Sequence, residues 1–312
     1  MIVEKIAVEP ERFRRPWFRF ANARSAFRAY LEAVARRREG RVLLPAYIGW
    51  SPREGSGVFD PIAELGLPFA FYRVDETLSI DVDDLERVLR EGAADVLVLI
   101  HYFGRVEPGY ADAVGLARRH GALVLEDEAH SMLSDLVGGI SGRLGDACIF
   151  SLHKLLPVGG GGLLVLNPGA AHLAAVVGGS PDGATPWDYD LAAIASRRRD
   201  NFRELLRMIE PLRGRLDPLW GDLGDGEIPQ TLPVLVRTVP RDRLYAVANE
   251  HGFGVVSLYH TLIREIPADR FPASFWLSRR ILNLPVHQDM DPERASALAT
   301  ALATYVDDLA RG

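Results

Sequence analysis

The amino-acid sequence predicts an α/β fold, in which a large domain with a mostly parallel sheet flanked by helices precedes a small C-terminal α+β domain. Over roughly the first two thirds of the 312 residues, short apolar runs alternate with amphipathic helical patterns. After Pro233 this alternation restarts on a smaller scale. The length also exceeds what one hydrophobic core usually organises, which favours two domains.

Six apolar runs are the predicted strands of the large sheet. They lie at residues 42–44, 69–74, 96–100, 123–125, 147–151 and 163–166. These runs are apolar almost throughout, which is typical of strands that helices cover on both faces, and such sheets are mostly parallel.

The first helix is the best defined in the sequence. Asn22 can cap it, and the spacing of a buried stripe is followed by Phe27, Tyr30, Leu31 and Val34. The N-terminus of this helix is suited to bind a phosphate group, because its backbone N–H groups have no partners within the helix.

The smaller unit is predicted from four elements. They are a strand at 234–236, a helix that begins at Pro240 and ends near Gly252, a strand at 255–258 and a final helix over about 291–310. A stretch rich in Gly, Pro and Asp at 217–229 marks the boundary. We therefore expect a large domain over 1–216, with an N-terminal arm over 1–20, and a small domain over 217–312.

Composition argues against several classes of protein. The net charge of −6 does not favour binding to nucleic acid or to a membrane, since both attract basic patches. Cys148 is the only cysteine, so no intrachain disulfide is expected, and its apolar surroundings indicate a small buried side chain. Residues 1–10 resemble neither a signal peptide nor a membrane span, which predicts a cytoplasmic protein.

The most informative feature is a set of polar residues at predicted strand ends. Asp127 opens the string Asp-Glu-Ala-His, Ser151 ends the next strand, Lys154 follows three residues later, and four glycines occupy 159–162. A lysine can form a Schiff base with an aldehyde, an acid can keep a pyridine nitrogen protonated, and a serine can donate to a phosphate. The set predicts an enzyme that uses pyridoxal 5′-phosphate.

Each of these residues has a simpler interpretation by itself. Asp127 is then a helix-capping acid, His130 a core histidine, Lys154 a surface charge, and 159–162 a flexible turn. Strings of Asp-Glu-Ala-His also occur in ATP-dependent motor proteins, but the phosphate-binding loop of those proteins does not precede this one. Only the combination favours a cofactor site.

Five further segments resemble, in order, those of one enzyme family. They are Leu-Pro-Ala-Tyr at 44–47, Ser-Ile-Asp-Val-Asp-Asp-Leu at 79–85, His-Tyr-Phe-Gly at 101–104, Leu-Glu-Asp-Glu-Ala-His at 125–130 and Leu-Asn-Leu-Pro-Val-His at 282–287. From about Asn22 to its C-terminus, the chain resembles the DegT/DnrJ/StrS family of fold-type-I pyridoxal phosphate enzymes, best known as sugar aminotransferases. An ordered series of matches is specific where a single one is not.

The resemblance implies roles for individual residues. It makes Lys154 the Schiff-base lysine, Asp127 the partner of the pyridine nitrogen and Ser151 a phosphate ligand. It places His130 against the cofactor ring. Tyr47 either lines the cofactor or substrate cleft or is only a packing residue. The resemblance also implies a homodimer, because sites of this fold type generally form between two subunits.

The chain departs from the family pattern in several places. Where the family has Ser-Gly-Thr to bind the phosphate, this chain has Asn22 followed by Ala23 and Arg24. Arg24 is then either a bidentate phosphate ligand or an exposed helix residue. Ser151 and Lys154 are two residues closer together than the corresponding serine and lysine of sugar aminotransferases. Gly160 stands where the family usually has a glutamate. The Gly-x-Asn-x-Arg loop of the family has no good match near 186–190.

The predicted activity is transfer of an amino group from an amino-acid donor to a keto acceptor. The family resemblance implies glutamate as the donor and favours a nucleotide-linked keto-sugar as the acceptor. A cysteine desulfurase is excluded because Cys148 lies in a predicted strand. A dehydratase is disfavoured since such relatives carry histidine in place of the lysine. Another lyase and a catalytically silent scaffold or regulatory protein stay open. Arg279 and Arg280, in a predicted helix, are not assignable to the donor carboxylate.

Overall fold

The protein is described here from a computed structural model, which covers residues 15–92, 94–179 and 182–311. Most of the N-terminal arm predicted over residues 1–20 therefore lies outside the described residues. Within the described ranges, no helix is both long enough and apolar enough to cross a membrane.

A seven-stranded sheet forms the centre of the molecule. Its strands are β1 (Trp17–Phe20), β2 (Val42–Pro45), β3 (Phe69–Tyr72), β4 (Val96–Ile100), β5 (Leu123–Asp127), β6 (Ala147–Ser151) and β7 (Gly162–Leu166). Their order is β1-β7-β6-β5-β4-β2-β3, and the five strands from β6 to β3 run parallel. The predicted mostly parallel sheet is confirmed, although β3 ends at Tyr72.

Strand β7 runs antiparallel to β6. The connection between them, residues 152–161, is shorter than the crossover of about a dozen residues that a parallel pair requires. Strand β1, which the sequence did not predict, pairs antiparallel with β7 at the sheet edge. The centroid of the Trp17 ring in β1 lies 5.0 Å from the centroid of the Trp187 ring.

Helices cover both faces of this sheet. They are α1 (Ala23–Ala35), α2 (Asp60–Glu64), α3 (Val82–Glu91), α4 (Tyr110–Arg119), α5 (Met132–Leu136) and α6 (Leu191–Met208). In α1 the Ser25 backbone N–H donates to Asn22 Oδ1 at 2.8 Å, so the predicted cap is confirmed. The four side chains of its predicted stripe are all buried.

A three-stranded antiparallel sheet follows, in the order β10-β9-β8. It consists of β8 (Leu216–Pro218), β9 (Thr231–Val236) and β10 (Ile281–Pro285), with helices α7 (Arg241–Glu250), α8 (Pro272–Ser278) and α9 (Pro292–Arg311). The predicted helices near Pro240 and over 291–310 are confirmed.

Two predictions for this region are wrong. Residues 255–258 do not form a strand, because only Val256 pairs with the outer edge of β10, in a single bridge to Asn283. Arg279 and Arg280 do not lie in a helix, since α8 ends at Ser278 and Arg279 is its C-terminal cap.

Each hydrophobic core is built from segments that are far apart in the sequence. Along β6 the side chains alternate, so Ile149 packs on one face of the large sheet and Cys148 and Phe150 on the other. The core that contains Ile149 also includes eight side chains from the C-terminal third, which are Leu219, Leu235, Leu262, Ile263, Ile266, Phe271, Leu277 and Ile281. The core of the small sheet includes Phe202, Leu205 and Ile209 from α6 and its end. The domain boundary at 216 and 217 stays a prediction.

One glycine of the run at 159–162 allows a close backbone contact. A side-chain carbon at Gly162 would overlap the backbone of Asn22 and Ala23, whereas one at Gly159 would meet open space. The Gly161 N–H also donates to the carbonyl of Ala21 at 2.8 Å. The run is therefore more than a flexible turn, because it lets the start of β7 pass directly under the N-terminus of α1.

We expect Gly162→Ala to destabilise the fold, because the added methyl group must displace the start of α1 from β7. Forcing a group into packed structure typically costs about 1–3 kcal/mol. The free energy of unfolding, from urea titration followed by circular dichroism, should fall by that amount. Gly159→Ala is the matched control and should be nearly neutral. Equal unfolding midpoints for the two variants would contradict this account of the glycine run.

Candidate functional site

The candidate site lies where parallel strands end at one edge of the large sheet. Asp127 is the last residue of β5 and Ser151 the last residue of β6. In the ladders, Asp127 is paired with Ile100 of β4 and with Ile149 of β6. A single 3₁₀ turn after Ser151 ends at Lys154. Because carboxyl ends of parallel strands meet at the same edge, residues distant in sequence come together here.

Lys154 and His130 are in direct contact. The Lys154 Nζ lies 3.0 Å from His130 Nε2, and the Phe103 backbone N–H donates to His130 Nδ1 at 3.3 Å. Burial lowers the pKa of the His130 imidazole well below its usual range, and Lys154 lowers it further. The ring is therefore neutral, and because Nδ1 accepts a hydrogen bond, this network assigns the proton to Nε2.

The contact determines the state of the lysine. An Nε2–H group can donate to Nζ only if the amine offers a lone pair. Burial lowers the pKa of Lys154, while Asp127 and Glu54 act in the opposite direction. The hydrogen-bond network therefore indicates a neutral amine, which is the form that attacks an aldehyde, and burial shifts the pKa of Lys154 in the same direction.

Asp127 is buried beside the lysine. Its Oδ1 accepts from the Ala129 N–H at 2.9 Å, and no described group donates to its Oδ2. Burial raises the pKa of this carboxyl group, against the effects of Lys154 and of the Ala129 N–H. A cationic group placed against Oδ2 would lower this pKa, since opposite charge at short range favours the ionised form. The free carboxylate oxygen fits a protonated pyridine nitrogen.

Ser151 and the start of α1 flank the same glycine. Ser151 is the ladder partner of Gly162, whose backbone passes directly under Ala23. The Ser151 hydroxyl is buried and makes one long contact, 3.4 Å, to His153 Nδ1. A hydroxyl group and the N-terminus of a long helix are thus adjacent, which is an arrangement that suits a phosphate.

Arg24 is engaged elsewhere. Its guanidinium lies 3.3 Å from the Asp60 carboxylate and donates to the Glu54 carbonyl, and its side chain is partly exposed. These contacts favour the exposed helix arginine of the two interpretations, because a phosphate would have to compete with Asp60. A role for Arg24 in cofactor binding stays a prediction.

Tyr47 follows β2 and is fully buried. Its ring stacks on that of Tyr259 with centroids 5.3 Å apart, and its backbone carbonyl accepts from the Tyr102 hydroxyl at 2.6 Å. The Tyr47 hydroxyl is buried without a hydrogen-bond partner among the described residues. Tyr47 thus belongs to an aromatic cluster at the site, and its contact with a ligand stays a prediction.

Sequence analysis missed Tyr259 entirely. Its ring contacts His130 edge to face, with centroids 5.8 Å apart, and the residue comes from an irregular segment between α7 and α8. No periodic pattern or motif marks it, so its position depends on the tertiary fold alone.

A second polar cluster lies next to Asp127 but belongs to the core. The His101 Nδ1 accepts from the Glu107 N–H at 3.0 Å, so the Nε2 proton is donated to Glu126 Oε2 at 3.0 Å. Glu128 is fully buried, and its Oε1 has no hydrogen-bond partner in the described chain. Burial raises the pKa of Glu128 to about 8, so this acid is largely protonated at neutral pH.

Arg197 to Arg199 are used within the chain. Arg198 is buried and donates to the carbonyl groups of Pro229 and Gln230. Arg197 and Arg199 likewise donate to backbone carbonyls, those of Met290 and Glu227. The triplet therefore ties α6 to the neighbouring loops.

Residues 20–177 match the model of the DegT/DnrJ/EryC1/StrS aminotransferase family. The chain is 26% identical over 290 residues to dTDP-4-dehydro-2,3,6-trideoxy-D-glucose 4-aminotransferase of Saccharopolyspora spinosa, a match that covers 79% of this chain and 74% of that protein.

Solved structures share the fold. DesI, determined in the presence of its TDP-sugar product, has a TM-score of 0.76 at 21% identity, covering 96% of this chain and 82% of that one. A Streptococcus pneumoniae protein in a PLP form has a TM-score of 0.73 at 15% identity, covering 95% and 88%. At these identities the likeness establishes the fold, which is the one predicted.

We expect Glu128→Gln to change how stability depends on pH. Between its ordinary pKa of 4.5 and the folded value of about 8, the folded protein holds a proton that the unfolded chain releases. Stability is then lost as pH rises through this range, and an amide removes that loss. Urea midpoints at pH 5 and pH 8 should differ less for Glu128→Gln than for wild type. The exposed Glu250→Gln is the control, and parallel pH profiles for both variants would refute the assignment.

Proposed function

The chain belongs to the DegT/DnrJ/EryC1/StrS aminotransferase family, and we propose that it binds pyridoxal 5′-phosphate through Lys154 and aminates a nucleotide-linked keto-sugar. The observation that carries this proposal is the neutral Lys154 amine, 3.0 Å from His130 Nε2 and beside the buried Asp127 carboxyl. When bound, the cofactor supplies the electron sink that transamination requires.

The residues at the sheet edge fit the three functional groups of the cofactor. Lys154 Nζ would bond to the aldehyde carbon, and Asp127 Oδ2 would hold the pyridine nitrogen and its proton. Ser151 Oγ and the N–H groups at Ala23 would bind the phosphate, in place of the family's Ser-Gly-Thr. His130 and Tyr47 lie on either side of the aromatic cluster that would face the ring.

Lys154 is also the proposed general base and acid. Once the amino donor has displaced it, its free amine can remove the proton from the donor carbon and return it to the cofactor carbon. Burial favours the neutral form that this step needs. His130 Nε2–H holds the lone pair of the amine in a fixed direction, which limits the orientations that Nζ can sample.

The acceptor class is inferred from the relatives. The Saccharopolyspora spinosa enzyme is named for a dTDP-linked dehydro-sugar, and DesI was solved with a TDP-sugar product. We infer a nucleotide-linked keto-sugar for this chain, with glutamate as donor. We also propose that the active form is a homodimer, since sites of this fold type generally form between two subunits.

We expect the cofactor to attach at Lys154 and nowhere else. The chain has only two lysines, Lys5 and Lys154, so the assignment is unusually clean. After incubation with pyridoxal phosphate and reduction by borohydride, mass spectrometry should find one adduct, on Lys154. Lys154→Ala should abolish it, while Lys5→Arg should retain it in full. An undiminished adduct in Lys154→Ala would sink the assignment.

We expect Asp127→Asn to retain the cofactor but to slow the half-reaction with glutamate. An amide cannot stabilise the ring proton by charge, and loss of about 2.7 kcal/mol corresponds to about 100-fold in rate. Stopped-flow absorbance measures the conversion, and 2-oxoglutarate should reverse it in wild type. Asp60→Asn, near Arg24, is the control.

If wild-type protein keeps its cofactor yet fails to react with a broad panel of amino donors, the transaminase proposal is overturned in favour of a lyase or a non-catalytic protein.

A further inference from the structure

Tyr259 has a backbone conformation that a tyrosine rarely adopts. Its φ is +57°, in the left-handed region, which costs an L-residue with a side chain roughly 1 kcal/mol or more. Such a conformation persists only where the surroundings impose it, and it is concentrated at functional sites. Contacts around Tyr259 must therefore hold its backbone in this conformation.

Backbone hydrogen bonds hold the segment that carries Tyr259. The Trp50 N–H donates to the Thr261 carbonyl at 2.9 Å, and the Ile263 N–H donates to the Ile48 carbonyl at 3.0 Å. Residues 261–263 are thus fastened to the segment that follows β2 at the candidate site. This pairing delivers a side chain from the C-terminal part of the chain to the edge of the large sheet.

Gly49 provides the space for Tyr259. A Cβ atom at Gly49 would lie 2.9 Å from Tyr259 Cδ1 and 3.3 Å from its Cα. The φ of Gly49 is not in the left-handed region, so alanine there meets no backbone strain of that kind. Gly49 is therefore required for packing against Tyr259 and not for a turn.

The Tyr259 ring is packed against the aromatic residues around His130. Its centroid lies 5.3 Å from that of Tyr47, 5.5 Å from Tyr102 and 5.9 Å from Phe103. It also meets the His130 imidazole edge to face at 5.8 Å. The imidazole also stacks on Phe103 with an interplanar angle of 14°, and the Phe103 and Tyr259 rings contact each other beside it. Two neighbouring rings thus pack against the imidazole whose Nε2 contacts Lys154.

We propose that Tyr259 is a positioning residue of the site, whose ring holds the His130 imidazole against Lys154 Nζ. The role of Lys154 as the reacting amine rests on the proposed function, whereas its contact with His130 is present in the chain without cofactor. Removal of the Tyr259 ring would free the imidazole and weaken the contact between its Nε2–H and the amine.

The charged and titratable groups around Lys154 give the direction of the effect. Asp127 and Glu54 favour its protonated form, and burial opposes it. His130 and His153 also lie within electrostatic range. Loss of the Nε2–H donor would remove an interaction that favours the neutral amine and would leave Asp127 and Glu54 in place, so the amine should titrate at higher pH.

The test measures the pH dependence of Lys154 acetylation in cofactor-free protein. In a Lys5→Arg background Lys154 is the only lysine, and mass spectrometry after brief exposure to acetic anhydride gives the labelling rate. We expect the midpoint of the pH profile to rise by about one pH unit in Tyr259→Leu and in Gly49→Ala. Tyr259→Phe retains the ring and should match the parent protein.

Tyr245→Leu is the matched control, because Tyr245 is 37% exposed. Thermal melts of every variant distinguish loss of structure from loss of positioning. If Tyr259→Leu and folded Gly49→Ala both keep the parental midpoint, the proposal is overturned, whether or not they melt earlier. Failure of the cofactor proposal would appear separately, as the absence of the reducible adduct on Lys154.

Discussion

The contact between the His130 imidazole and the Lys154 amine organises the site, and much of the molecule around it holds the imidazole in place. The parallel strands that end there are buried on both faces, and the polar residues Asp127, His130 and Ser151 at their ends are buried with them. His130 then stabilises the neutral amine by donating Nε2–H to it. The rings of Phe103 and Tyr259 pack against the imidazole.

Local signals in the sequence predicted the features that depend on few residues. The apolar strands, the Asn22 cap and the order of Asp127, Ser151 and Lys154 are of this kind, and the parallel sheet brings the latter three to one edge. Features that depend on a distant partner were missed. Residues 255–258 have the composition of a strand, but they pair with the edge of β10 at Val256 alone. Tyr259 has no local signal, because its place is set by hydrogen bonds to the segment after β2.

The altered phosphate motif can be understood from the glycine run. The family's Ser-Gly-Thr supplies hydroxyl and backbone donors, and this chain keeps the backbone donors while losing both hydroxyl groups. The close passage of Gly162 under Ala23 holds the start of α1 beside Ser151. Helix geometry and one serine therefore remain available without Arg24, whose guanidinium is paired with Asp60.

The path of the chain between its cores affects how the protein can be divided. The chain enters the core of the small sheet along α6, returns to the core of the large sheet with Leu262 and Phe271, and re-enters the small one at β10. Neither core is made from a contiguous stretch of sequence. A fragment that ends at residue 216 would lack part of its own interior, so the two halves depend on each other for folding. Cooperative unfolding of the whole chain follows from this connectivity, even though the molecule contains two separate sheets.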